Sequence, residues 1–316
     1  MNSVAIYGAG QLGTGVARLL AAQGKCRVLG PFGRSDRRRA LTSGATVVLI
    51  ATTTRFADVA PDIEQAVRHG SNVLVSAEEC AFPYAVDRPL AARLDQLATS
   101  HGVTIAGCGV NPGLIFDGLV LTLLGALPPD CTISASRRVD ISGFGAAVLR
   151  RIGIGRTSDE FEEGVQRGDI LGHAGFPQSM AVVAVALGLE IERIDKRLEP
   201  VIATEALDLP GRFAISAGQS AGVDQTYIAV VKGSPWYTCN FFGHVALATV
   251  GAHTSDRIEI LNADRLIQRM ELVPGIGSQV GSQNMVANSI DRVINARPGW
   301  LTVADLVPAM PAAHAG

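Results

Sequence analysis

The chain opens with Ser3-Val4-Ala5-Ile6-Tyr7, passes through Gly8-Ala9-Gly10-Gln11-Leu12-Gly13, and continues into a helical pattern carrying Leu12, Val16, Leu19 and Leu20. An apolar strand that enters Gly-x-Gly-x-x-Gly and leaves directly into a helix is the context a dinucleotide pyrophosphate requires. Gly8 allows the tight turn, Gly10 lets the backbone approach the ligand, and Gly13 lets the helix pack closely on the strand. The helix N-terminus adds unpaired N–H groups and a partial positive charge. Gly8, Gly10, Gln11, Leu12 and Gly13 are therefore the first candidate cofactor contacts.

The following stretches repeat this alternation. Lys25 to Gly30 reads as a second strand, and Thr46 to Ile50 as a third, a continuous apolar run suited to a parallel strand covered on both faces. Ala66–Ala77 and Ala98–Gly109 end alike, each with a helix closing in His-Gly before an apolar strand. His69 and His101 thus read as helix C-terminal residues, with Gly70 and Gly102 in left-handed caps. Five strands with intervening helices give an α/β fold with a doubly wound parallel sheet, whose ligand lies beyond the C-terminal strand ends.

Arg34, Ser35 and Arg37 follow the second strand, where an NAD site places a carboxylate. Cations and a hydroxyl suit a 2'-phosphate, so the cofactor expected is NADP(H); NAD(H) stays possible because Asp36 could take the ribose hydroxyls. Thr52 and Thr53 follow the third strand, to line the cofactor or to cap the helix expected over Asp58–Arg68. The fourth strand runs into Ala77-Glu78-Glu79, two carboxylates at the ligand edge. Neighbours in an extended segment point to opposite sides, so one should face the cofactor and the other solvent or a cap. The fifth strand runs into Asn111-Pro112, read as the N-cap and first residue of an apolar helix through Leu124, with Asn111 a further candidate cofactor contact.

Composition narrows the partners. With 47% hydrophobic and 18% charged residues the chain is not disordered, and a net charge of −2 offers no broad basic face to nucleic acid or an anionic membrane. No run approaches a membrane span or leaves room for a signal peptide, so the expected location is the cytoplasm and the expected partner is small. Five scattered cysteines lack metal or redox spacing, and no metal is expected.

The runs NVLVSAEECAFPYA, GCGVNPGLIFDGLVLTLLG, RVDISGFG, GDILGHAGFPQS and VINARPG together resemble the 2,4-diaminopentanoate dehydrogenases and the related native amine dehydrogenases. The resemblance implies a dihydrodipicolinate-reductase-like architecture, in which a second α+β domain with a mixed or antiparallel sheet covers the substrate and makes a homodimer. It also implies NAD(P)-dependent oxidative deamination of an amine, or the reverse reductive amination of a ketone. Its catalytic glutamate falls on the Ala-Glu-Glu motif, at Glu78 in preference to Glu79. No adjacent histidines are present, so dihydrodipicolinate reductase activity is not expected.

Composition shifts near Leu127, giving expected domains of 1–127 (dinucleotide binding), 128–275 (substrate covering) and 276–316 (a helical segment returning to the first domain). Expected elements are a strand over Cys131–Ile141, a helix opened by the capping box Thr157–Glu160, a helix over Pro177–Leu189, and strands near Arg197–Ala206, Thr226–Lys232, Trp236–Phe242 and Arg257–Asn262. Gly218-Gln219-Ser220-Ala221-Gly222 matches a hydrolase nucleophile pattern, but a strand pattern follows where a helix is required. The resemblance implies that His173 lies near the substrate, to shape the pocket or carry a proton; the other reading is a histidine satisfied by backbone groups. Phe144, Phe176 and Trp236 are pocket walls or core, and Asn288 on the helix over Ser278–Asn295 is a candidate cofactor contact. A substrate carboxylate would need a cation, for which Arg137, Arg138, Arg150 and Arg151 are available. Two further readings stay open: an NADPH-dependent reductase of a preformed imine or a carbonyl, and a dinucleotide-binding regulator without turnover.

Overall fold

The computed structural model describes residues 1–128, 130–209 and 213–305, with the side chain of Phe213 left aside. Pro129, at the expected domain boundary, and residues 306–316 of the expected C-terminal segment lie outside the described residues. The chain divides into two units, one of residues 1–123, 177–188 and 278–316, the other of 124–176 and 189–277. Residues 177–188 thus group with the first unit, inside the range expected for the second.

The first unit begins with β1 (Ser3–Tyr7), α1 (Gln11–Gln23), β2 (Arg27–Phe32), α2 (Arg37–Leu41), β3 (Val47–Ile50), α3 (Phe56–Arg68), β4 (Asn72–Val75), α4 (Arg88–Ser100) and β5 (Thr104–Gly107). β3 is buried at every residue, as expected of a strand covered on both faces. Helix ends follow the chemistry expected of them: His69 and His101 are C-caps whose Nδ1 atoms meet the carbonyls of Gln65 (2.8 Å) and Leu97 (2.9 Å). Gly70 and Gly102 adopt φ of +73° and +67°.

One expectation fails beyond β5. The helix does not start at Pro112; residues 111–117 form turns and α5 spans Gly118–Leu124. Gly113 has φ +126°, which no right-handed helix accommodates, and Asp117 serves the helix start instead, accepting the N–H of Gly118 at 2.7 Å. Only Val120 is buried in α5, so this helix is less enclosed than its sequence suggests.

The second unit contains β6 (Thr132–Asp140), α6 (Ala146–Ile152) and α7 (Ser158–Arg167), the last opened by the Thr157–Glu160 capping box with both reciprocal bonds formed. α8 (Phe176–Ala186) belongs to the first unit from Pro177 onward. There follow β7 (Arg193–Ile202), the hairpin of β8 (Leu207–Leu209) and β9 (Phe213–Ile215), then β10 (Ser220–Val231), β11 (Ser234–His244), β12 (Ser255–Asn262) and β13 (Arg265–Leu272). The sheet order is β13-β12-β6-β11-β10-β7, mixed because β11 and β6 run parallel. Ser220 opens β10, which confirms that no strand–turn–helix surrounds it.

The chain then returns to the first unit as α9 (Ser278–Ile294) and β14 (Gly299–Leu301). Val286, Ala287, Ile290 and Val293 of α9 join Val4, Ile6, Val16 and Leu49 in one apolar cluster. β14 pairs with β5 and completes a parallel sheet of order β14-β5-β4-β3-β1-β2, six strands where five were expected. The order reverses between β1 and β3, the switch point at which such sheets bind ligands. No helix among the described residues is long and apolar enough to cross a membrane.

Candidate active site

At the switch point, the glycines carry the roles their spacing suggests. Gly8 has φ +132°, and a Cβ there would strike the carbonyl of Ala51 after β3. A Cβ on Gly13 would strike the Gly8 carbonyl, whereas nothing lies within 4 Å of one on Gly10. Gly10 is the N-cap of α1, with no side-chain cap and no acidic residue in the first turn, so its N–H groups face an open, anion-ready space. Leu12 packs against the apolar cluster; Gln11 is held by α9, its Oε1 accepting from Gln279 (2.7 Å) and its carbonyl from Gln283 (3.3 Å). Those two residues are α9 contacts to the loop. Asn288 lies roughly 14 Å further along the helix from Gln279 at about 1.5 Å per residue.

Beyond β2, Arg34–Asp36 form a short 3-10 turn with Arg34 and Ser35 exposed. Arg37 turns to Asp62 of α3, a nearly buried carboxylate. Burial pushes the Asp62 pKa up while Arg37 opposes it. Of the three residues read as a phosphate site, Arg37 is therefore committed to an ion pair.

Beyond β3, Thr53 Oγ1 lies 3.5 Å from Asp58, and neither it nor Thr52 caps α3. The cap comes from elsewhere: Glu79 accepts the N–H of Phe56, the first residue of α3, at 2.7 Å. Glu78 and Glu79 stand in a short 3-10 turn (Glu78–Ala81), not in an extended segment. Neighbours there are separated by about 120° rather than set on opposite sides. Glu79 is thus the structural carboxylate of the pair, and half-buried Glu78 is the one that opens the turn at the end of β4. The Cys80 thiol behind them stays protonated, its pKa raised by burial and by both carboxylates.

Beyond β5, the side-chain amide of Asn111 has its nitrogen and oxygen buried and without a hydrogen-bond partner among the described residues. A buried donor–acceptor pair left unmatched is expensive and fits a ligand carrying the complementary amide, as nicotinamide does. Asp117, outside the expected site residues, is fully buried; it accepts from Gly113 (2.9 Å), Gly118 and Ser179 (2.8 Å), and burial raises its pKa. A lone charge inside the run LIFDGLVL was the signal available for it.

In the second unit, His173 packs between Phe176 (5.5 Å) and Phe241 (4.8 Å), and Phe176 stacks on Tyr227. Its Nδ1 meets the Ala174 carbonyl at 2.6 Å, and its peptide is held on both sides by Gln225, which accepts its N–H (2.7 Å) and donates to its carbonyl (3.1 Å). Burial pushes its pKa down to about 4, so the ring is neutral at pH 7. Gln225, fully buried amid apolar neighbours of β10, and Tyr227 were not singled out beforehand. Phe144 sits half-buried after β6, its N–H bonded to Ile141. Trp236 packs on Tyr237, roughly 17 Å along β11 from Phe241 at about 3.3 Å per residue, and does not join the His173 cluster. Arg137 is buried and bonded to Asp256 (2.6 Å) and to the Ile276 carbonyl (2.6 Å), so its charge is already matched. Among the described residues no cluster has the makings of a metal site.

The chain is similar to proteins of known activity. Residues 114–316 match the family described as the 2,4-diaminopentanoate dehydrogenase C-terminal domain. A 2,4-diaminopentanoate dehydrogenase of Acetoanaerobium sticklandii is 32% identical, over 96% of this chain and 92% of that protein. The solved amine dehydrogenase of Mycobacterium smegmatis superposes with a TM-score of 0.83 at 21% identity, covering 99% of this chain and 97% of the other. A biliverdin reductase of Synechocystis, solved with biliverdin and NADP+, has a TM-score of 0.50 at 14% identity, covering 96% and 94%. At these identities the two solved structures establish the shared fold.

Proposed function

Since the chain belongs to the 2,4-diaminopentanoate dehydrogenase family and is an oxidoreductase acting on CH–NH2 groups, we propose that it deaminates an amine oxidatively and aminates the matching ketone in reverse, with Glu78 as the catalytic carboxylate. The supporting observation is the division of labour in the Glu78–Glu79 pair: Glu79 caps α3, and Glu78 stands at the ligand edge of β4. A bound nicotinamide supplies or accepts the hydride. Gly8–Gly13 and the N-terminus of α1 would hold its pyrophosphate, and the Asn111 amide would meet its carboxamide.

Glu78 has two tasks in this scheme. It takes a proton from the ammonium form of the amine, and it then faces the cationic C=N that hydride loss creates. In the reverse direction the same oxygen pair returns the proton. Arg34 and Ser35 support NADP(H) as the preferred cofactor, and the second sheet supports self-association as a homodimer. Ser134, Ser136, Thr238 and Asn240 lie half-buried on its face opposite Phe241, where small side chains let another sheet approach.

The test is a ketone panel assayed for ammonium-dependent NADPH oxidation. Glu78→Gln should lose most turnover while still binding NADPH. Glu79→Ala should keep turnover and lose roughly 1 kcal/mol of stability with the cap. Undiminished turnover in Glu78→Gln would refute the assignment, and consumption independent of ammonium would favour reduction of a carbonyl or preformed imine.

A further inference from the structure

The first unit contains a cavity of about 400 Å3 that the proposed chemistry does not use. Its floor is the end of β5 at Gly107 and Cys108. Leu121 of α5 forms one wall, and Met285, Ser289 and Arg292 of α9 form another. The α9 residues recur at i, i+4 and i+7, so they make a stripe beside the one (Val286, Ile290, Val293) that packs into the core.

The polar groups at this cavity are few, and all but one are matched. The Ser289 hydroxyl donates to the Met285 carbonyl at 2.7 Å. Burial raises the Cys108 thiol to about 12, so it is uncharged. Asp305 accepts from Arg297 (2.9 Å) with one oxygen and from the N–H and hydroxyl of Thr302 (3.0 and 2.9 Å) with the other. Arg292 is half-buried and has no carboxylate partner among the described residues. The dipole of α9 accounts for a basic residue in its last turn, but not for an apolar chamber beside that residue.

A concave, mostly apolar space with one unmatched guanidinium calls for a ligand with an apolar body and a single anionic head. The planar guanidinium suits a carboxylate, and the nearby Asp305 disfavours a dianion such as phosphate. We propose that this chamber binds an aliphatic carboxylate, its chain against Leu121 and Met285 and its head on Arg292. Such a molecule would rest on the strand end that touches the glutamate turn, since a Cβ on Gly107 would strike the main chain of Cys80.

The experiment is calorimetric titration of the full chain, saturated with NADPH, with hexanoate, hexanol and inorganic phosphate. Hexanoate should bind saturably, hexanol more weakly, and phosphate not at all. Arg292→Gln should weaken hexanoate roughly tenfold, the loss of one charge-assisted hydrogen bond, and leave hexanol unchanged. Leu121→Trp should narrow the chamber and weaken both; should that variant fail to fold, Arg292→Gln, on the helix flank, carries the test. Glu78→Gln should leave the hexanoate titration as it was. Absence of hexanoate binding, equal affinity in Arg292→Gln, or loss of binding in Glu78→Gln would overturn the proposal.

Discussion

The loop after β1 and the buried row of the second sheet prepare for polar ligands or partners in opposite ways. The loop works through what is missing: Gly8 and Gly13 have no Cβ to collide with neighbouring carbonyls, and α1 begins without a capping side chain. The sheet works through what is present. Arg137 is paired with Asp256, the same two residues hold the Ile276 peptide at its carbonyl and N–H, and Gln225 grips the His173 peptide on both sides. A site made of bare backbone should be broken by adding atoms, and one made of buried polar pairs by removing them.

Four substitutions probe that contrast, beginning with the largest effect. Arg137→Met strands Asp256 in the interior and should cost about 3–5 kcal/mol in urea unfolding. The double variant with Asp256→Leu should recover part of that loss, because the Ile276 peptide still lacks partners; a double variant as weak as the single would remove the paired-charge half of the comparison. Gly13→Ala forces a methyl against Gly8 and should cost about 1–3 kcal/mol. Gly10→Ala meets open space, so it should cost no more than about 1 kcal/mol, the loss of a glycine N-cap, while NADPH affinity falls. If both glycine variants lose stability alike, the open space at Gly10 is not reserved for a ligand.

Acid acts on the same buried row. His173 titrates near 6.5 when unfolded and at about 4 when folded. Between those values the unfolded chain binds more protons, so stability should rise with pH from 4 to 6.5 and be complete above it, by at most about 1.4 kcal/mol per pH unit. His173→Phe should flatten that limb of the curve. An unchanged slope would mean that the imidazole reaches water. The smallest effect is Thr157→Ala, which removes half of the capping box of α7 and should cost about 1 kcal/mol.

Local signals made much of the fold around the site legible. β1 was read to the residue, the Thr157 capping box and the His-Gly helix ends formed as their sequences imply, and Glu79 proved to be the capping member of its pair. Each depends on residues close in sequence or on a single glycine's geometry. Two of the misses depend on distant partners. β14 is too short to show a strand period and exists because β5 offers it an edge. Gln225 looks like an ordinary polar residue in a strand until the His173 peptide is set against it.

By itself, the sequence determined where backbone could turn tightly, where most helices would start and stop, and that a parallel sheet would present its C-terminal edge to a dinucleotide. Those outcomes follow from φ, from caps and from hydrophobic period, which act over a few residues. Only the tertiary structure decided which charges were already matched, turning Arg37 toward Asp62 and Arg137 toward Asp256, while among the described residues the Asn111 amide has no hydrogen-bond partner and Arg292 no carboxylate partner. Whether a polar side chain is satisfied is a property of everything that surrounds it, and no local pattern encodes those surroundings.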